Sequence, residues 1–275
     1  EQTNFETKNH YTIRLKTYFS REIMQLKGLI FGKKVIQPAV LPEFILDENC
    51  PKPIIREFLA GMFGGDGHTC YLGMHRGKRD LLTSISFSKT KSYEHKESLQ
   101  KMMEDIQKLL KKFDIHKTTI QKSKETTHSK KINKLDVNKD QRHYQLLLHL
   151  DIDELISFSE KIGFRYCCHK SQRIEAGVAY KRLRDEVIRQ RKWITNRVNE
   201  LTDYVKIKTQ FPKKNIQTKK AIEQAVVELE KKEPLIHKYA IPTRHSINEH
   251  LLRKTSFGKF NSKSFPTAEQ FMKKI

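Results

Sequence analysis

Ile54-Ile55-Arg56-Glu57-Phe58-Leu59-Ala60-Gly61-Met62-Phe63-Gly64-Gly65-Asp66-Gly67 reads as one short helix that ends at Gly67. Pro53 stands at its start, where a missing N–H costs nothing. Small residues recur one turn apart at Ala60 and Gly64, and again at Gly61 and Gly65, so that another helix backbone can approach closely. Asp66 carries the chemistry. A carboxylate at a helix C-terminus faces the negative end of the macrodipole, unfavourable by about 0.3–1 kcal/mol. The neighbouring glycines lower helix stability as well. A stretch that breaks two local rules at one point is a candidate functional site. The plain alternative is a glycine-rich helix end with a solvated aspartate.

Leu59-Ala60-Gly61-Met62-Phe63-Gly64-Gly65-Asp66-Gly67 resembles the signature of the LAGLIDADG homing endonucleases, the dodecapeptide type found free-standing and inside inteins. The resemblance implies two such helices packed side by side, from two repeats or two subunits. Each delivers its last acidic residue to divalent metals at a DNA cleavage centre. Asp66 matches that acid, so Asp66 and Gly67 are the expected metal-binding residues. Ala60, Gly61, Gly64 and Gly65 are the expected helix-interface residues. The earlier acidic position of the name motif is Gly64 here, a departure that removes no metal ligand in the family scheme.

Composition agrees with a polyanionic partner. Among 275 residues, Lys and Arg number 54 against 32 Asp and Glu, a formal charge of +22. DNA or RNA is the simplest partner of such a chain, with a membrane surface as the rival. No apolar run approaches the roughly 18 residues of a spanning helix, and no signal peptide opens the sequence. Cys50, Cys70, Cys167 and Cys168 form no Cys-x-x-Cys pair, which argues against a zinc site. Reduced thiols and an intracellular location, organelle and nucleus included, are expected.

Residues 1–50 read as the end of a preceding, incomplete repeat with its connector. His10-Tyr11-Thr12-Ile13-Arg14-Leu15-Lys16 alternates as a half-buried strand does, and Ser20 is placed to cap a following helix. The unit recurs 133 positions later, with His143-Tyr144 as strand and Asp153 as cap. This is the pattern of an internal duplication. A first copy of the glycine-lined helix would then fall before Glu1, supplied by upstream sequence or by another copy of the chain. In two-motif members of the family a connector lysine ahead of the second motif assists cleavage. Gly32-Lys33-Lys34-Val35 resembles that block, which makes Lys34 the candidate, with Lys33 next. An ordinary solvated lysine is the alternative.

Residues 51–165 read as one complete repeat, αββαββα, an α+β fold whose antiparallel sheet is saddle-shaped in the family. The expected strands are Leu72–Met74, Ser84–Ser88, Ile115–Lys122 and His143–Leu150, with 122–140 as a lysine-rich loop. Between them Leu99, Met102, Met103, Ile106, Leu109, Leu110 and Phe113 fall on one helical stripe. The other side of the sheet carries short polar and basic residues, and a two-stranded ribbon fits the DNA major groove. His75, Arg76, Lys78, Arg79, Ser84, Ser86, Ser88, Lys89, Lys91, Lys117 and Lys122 are the expected DNA-binding residues.

Residues 166–275 read as a helical, basic extension. A long helix runs through Ile174, Val187 and Val205, with Arg173, Lys181, Arg182, Arg184, Arg189, Arg191, Lys192 and Arg197 on a basic face that could extend phosphate contacts. A second helix passes Ile222 to Leu229, and Pro266 opens a short third one. Glu1 and Ile275 are not the ends of a complete splicing element, so the endonuclease part of an intein or a free-standing enzyme is expected. The function implied is a site-specific double-strand DNA endonuclease using magnesium or another divalent cation such as manganese. The rival is a non-cleaving DNA or RNA binder, such as an intron maturase or a degenerate endonuclease on the same scaffold.

Overall fold

In the computed structural model the described residues are 16–30, 32, 34–75, 78–127, 142–202, 214–238 and 240–242. In chain order they form α1 (Thr17–Met24), α2 (Glu43–Leu46), α3 (Lys52–Asp66), β1 (Gly67–His68), β2 (Leu72–His75), β3 (Lys78–Leu82), β4 (Ser86–Ser92), α4 (Lys96–Lys111), β5 (Thr118–Thr127), β6 (Arg142–Leu150), α5 (Leu155–Lys161), α6 (Cys168–Thr202) and α7 (Lys214–Glu230). Contacts divide the chain into two units, 1–66 with 87–149, and 67–86 with 150–275.

In the first unit β4, β6 and β5 lie side by side in that order, within an antiparallel sheet. The apolar stripe of α4 is what the spacing requires: Leu99, Met102, Met103, Ile106, Leu109, Leu110 and Phe113 are all buried. Gln107 pins this helix to β5, its amide donating to the Thr118 hydroxyl at 2.9 Å. From α3 come Ile55, Leu59, Ala60 and Phe63, none of them accessible. Phe63 packs on Phe87 of β4 with ring centroids 5.6 Å apart. The chain leaves α4 through Asp114 at φ 58°, the left-handed position after a helix end that glycine usually takes. Upstream, Gly28 has φ +85°, and a Cβ there would stand 2.6 Å from the Leu41 carbonyl oxygen, so only glycine fits.

In the second unit β2 and β3 form an antiparallel hairpin, Leu72 opposite Leu82 and His75 opposite Lys78. The expected strand at Leu72–Met74 therefore pairs with the next residues as a separate two-stranded ribbon and is not a member of the larger sheet. Phe158 of α5 meets Phe164 at 5.4 Å. Gly177 of α6 lies against Cys70, where a Cβ would collide with the thiol sulfur. Ile194 and Val198 of α6 close a core with Ala221, Ala225 and Leu229 of α7, and Trp193 packs against it. Gln190 is buried and ties the 233–237 segment to α6, donating to Glu233 at 2.9 Å and to the Leu235 carbonyl at 2.8 Å.

Smaller expectations shift. Ser20 lies inside α1, whose N-cap is Lys16, and Ser20 Oγ donates back to the Lys16 carbonyl. Asp153 caps no helix: Asp151 caps the 3-10 turn Ile152–Glu154, accepting from the Asp153 N–H at 2.9 Å, and α5 follows with Glu154 as its N-cap. β5 starts three residues after Ile115 and continues through Thr127, into the expected loop. The strand at His10, the rest of the loop to 140 and the Pro266 helix lie outside the described residues. Among the described residues no helix is long and apolar enough to cross a membrane.

Candidate functional site at the end of the glycine-lined helix

Asp66 is the last residue of α3, and its side chain is 58% exposed. Its Oδ2 accepts from the Lys89 ammonium at 2.6 Å. The pairing follows from the core. Phe63 sits on Phe87. Three residues on along a helix advance about 4.5 Å, and two residues on along a strand advance about 6.7 Å on the same side. The packed phenylalanines thus deliver acid and base to one place. The sequence alone offers Lys89 as a DNA contact only, and the signal that it faces Asp66 is its i+2 relation to a buried phenylalanine.

The small residues of α3 divide between two faces. Ala60 and Gly64 are buried within the fold, whereas Gly61 and Gly65 are exposed. Nothing lies within 4 Å of where a Cβ on Gly65 would stand. Ile54, at the start of α3, is 47% exposed on the same stripe, so this side of the helix is apolar and open.

The expected metal residues differ in availability. Asp66 offers an exposed carboxylate, a suitable donor for a hard divalent cation. The Gly67 carbonyl, in contrast, accepts from the Lys170 ammonium at 2.7 Å. Among the described residues no group of three His, Cys, Asp or Glu is placed to hold a metal ion.

Lys34 opens a 3-10 turn, Lys34–Ile36, and its Nζ donates to the Ile30 carbonyl at 2.8 Å. Lys33 lies outside the described residues. Of the expected DNA contacts, Ser88 is half-buried on β4, Ser84 is half-buried just before it, Lys117 is exposed before β5, and Lys122 is exposed on β5, its ammonium 5.5 Å from the Tyr144 ring centre. Ser86 and Lys91 are corrections: they are 9% and 4% exposed, so neither presents its side chain to a groove. Lys91 instead donates to the Lys34 carbonyl at 2.5 Å. His75, Lys78 and Arg79 lie on β2 and β3, and their side chains, with all of Arg76, fall outside the described residues.

The basic face of α6 is also revised. Arg182 pairs with Glu160, Arg189 with Glu186 and Glu233, Arg197 with Glu200 and Glu228, and buried Lys181 with Asp153 and Asp185. Acids from α5, α7, α6 itself and the turns before α5 and after α7 neutralise Lys181, Arg182, Arg189 and Arg197 of that basic face. The hydrogen bonds from Arg189 hold the Glu186 and Glu233 carboxyls below the usual glutamate range, and Arg197 does the same for Glu228.

Comparison with known proteins bears on the segment around Asp66. Residues 53–163 match the family described as LAGLIDADG-like domain. A curated relative, the tRNA-splicing ligase RtcB of Methanopyrus kandleri, is 29% identical over 171 residues, covering 62% of this chain and 15% of that protein. The chain thus spans a small fraction of its relative's length. No solved structure matches. An α+β fold of helices on an antiparallel sheet, a glycine-lined helix ending in an exposed aspartate, and the match over the same residues agree: residues 53–163 are a LAGLIDADG-like domain.

Proposed function

We propose that this chain is a site-specific double-strand DNA endonuclease that hydrolyses phosphodiesters with a divalent cation, magnesium or manganese. The observation that carries the reading is Asp66, exposed at the foot of α3 with an ammonium 2.6 Å away and an open apolar helix face beside it. In this reading Asp66 holds the cation, with a second carboxylate from a paired helix that upstream sequence or another copy of the chain provides. The Gly67 carbonyl joins only where Lys170 releases it. A bound cation supplies charge neutralisation and lowers the pKa of an attacking water. Lys89 turns from Asp66 to the phosphate oxygen on which charge develops. Lys34 serves as a second cation once it leaves the Ile30 carbonyl. Ser84, Ser88, Lys117 and Lys122 contact DNA, as do His75, Arg76, Lys78 and Arg79. Phosphate contacts set register and polar contacts read bases.

A match confined to 15% of a ligase's length does not bring ligase activity to this chain. It fits an endonuclease segment carried within a longer host protein, as in an intein.

A library of supercoiled plasmids with random inserts, incubated with the protein in magnesium or in chelator, tests the reading. Metal-dependent linear product is expected, and Asp66→Asn should abolish cutting while leaving DNA affinity within about threefold. Loss of binding together with cutting would make Asp66 a structural residue. The second reading, a DNA or RNA binder that does not cut, is favoured by one observation: lysines already occupy both the Asp66 carboxylate and the Gly67 carbonyl. Retained binding with no linear product in either metal would select it.

A further inference from the structure

Lys91 lies two residues beyond Lys89 on β4, hence on the same side of the strand. It is 4% exposed. Its ammonium donates to the Lys34 carbonyl at 2.5 Å and to the Pro38 carbonyl at 3.3 Å. Burying an ammonium is costly unless hydrogen bonds satisfy it, and here backbone carbonyls do so. Burial, with the like charges of Lys89 and Lys34, holds Lys91 below the usual lysine range.

The connector is fastened at further points. His95 Nε2 lies 3.1 Å from the Ile36 carbonyl. The Ala39 N–H donates to Ser98 Oγ at 3.0 Å, and that hydroxyl donates to the His95 carbonyl at 2.9 Å. Residues 34–39 are therefore laid along the segment that follows β4. One strand carries both the partner of Asp66 and the anchor of the connector.

We propose that Lys91 is a positioning residue: by holding the Lys34 and Pro38 carbonyls it fixes the connector backbone, and with it the reach of the Lys34 ammonium toward the Asp66–Lys89 pair. This rests on the endonuclease reading. Lys91 touches no substrate and acts through Lys34. Misplacing a reacting group by about 1 Å can cost around a hundredfold in rate, so a buried lysine that sets a backbone position can matter as much as the one it aims.

The test is a double-mutant cycle on Lys34→Ala and Lys91→Met, using a plasmid recovered as cut by the wild-type chain. Single-turnover cutting in magnesium, DNA affinity in calcium, and hydrogen exchange of the Val35, Ile36, Gln37 and Ala39 amides are read together. Lys91→Met should slow cutting about as much as Lys34→Ala, roughly ten- to a hundredfold. The double variant should be no slower than Lys34→Ala alone, because groups that act as one are not additive. DNA affinity should hold within about threefold, and exchange should rise at least about tenfold at those four amides and not in α6. A double variant slowed by the product of the two effects overturns the proposal, as does unchanged exchange. If Lys91→Met does not fold, Lys91→Gln, uncharged and about one bond shorter than the lysine that reaches both carbonyls, takes its place in the cycle under the same criteria. A wild-type chain that cuts no plasmid, with exchange still raised by the variant, overturns the endonuclease reading and the aiming of Lys34 together, and upholds the anchor.

Discussion

Replacing Gly65 by alanine should separate the stability of this chain from its function. Gly65 is the next-to-last residue of α3, and no atom lies within 4 Å of an added Cβ. Alanine in a helix interior is favoured over glycine by about 0.8–1.0 kcal/mol. At a frayed last turn about half of that is expected, roughly 0.5 kcal/mol, which raises the melting temperature by about 1–2 °C in a chain of this size. If a second helix seats on the Gly61/Gly65 side, the same methyl intrudes on a close backbone approach. Overpacking of that kind costs about 1–3 kcal/mol, or about 5- to 150-fold in the pairing constant. Calorimetry and plasmid cutting, run on the same preparation, should therefore move in opposite directions. Lower stability would refute the open face. Higher stability with undiminished cutting would refute a helix seated there.

Lys89→Met should change stability by under about 1 kcal/mol, since the pair it breaks is partly exposed, yet slow cutting by about 10²–10³ through loss of charge stabilisation. Equal losses in DNA affinity and rate would place Lys89 in binding alone. Gly177→Ala should destabilise the second unit by about 1–3 kcal/mol through collision with the Cys70 sulfur, and Cys70→Ala should restore most of it; denaturant unfolding of the single and double variants checks this. Acid should loosen α6 from α7, through Glu228, and from the segment after α7, through Glu233, which shares Arg189 with Glu186. The carboxyls of Glu186, Glu228 and Glu233 are held below their ordinary 4.5, so their stabilisation is complete above that value and is lost as pH falls through the lower folded values. Fluorescence of Trp193, the single tryptophan, should report the transition. An acid midpoint unmoved by Arg189→Met together with Arg197→Met would refute that assignment.

Local pattern was enough where one element decides its own burial. The stripe of α4 and the end of α3 at Asp66 are readable because helical spacing and a glycine run are properties of contiguous residues. The long α6 and the α7 that follows it were legible for the same reason. Lys91 was not, because a lysine in a polar, alternating strand reads as solvent-facing. Nothing nearby in sequence says that carbonyls from residues 34 and 38 will cover it. The arginines of α6 misled in the same way, since Glu160, Glu228 and Glu233 reach them from other elements. Leu72–Met74 has strand periodicity, but periodicity does not name a partner, and Lys78–Leu82 took that place. At the candidate site the place of Asp66 at the end of a glycine-lined helix was legible from its motif. Its ammonium partner emerged only when the Phe63–Phe87 contact set the register between helix and strand.

The interleaving of the two units has a consequence for how the molecule is made. Each unit draws on two separate stretches, and the chain passes from one to the other after Asp66, after Ser86 and after His149. Domains tend to fold in order as the ribosome releases them, but here the earlier unit stays unfinished until His149 has emerged. Until then α3 waits with its acid in place and the strand that bears Lys89 not yet laid against it. Nascent protein arrested before that point should be open to protease throughout, and a single nick between the units cannot free either of them as one continuous peptide.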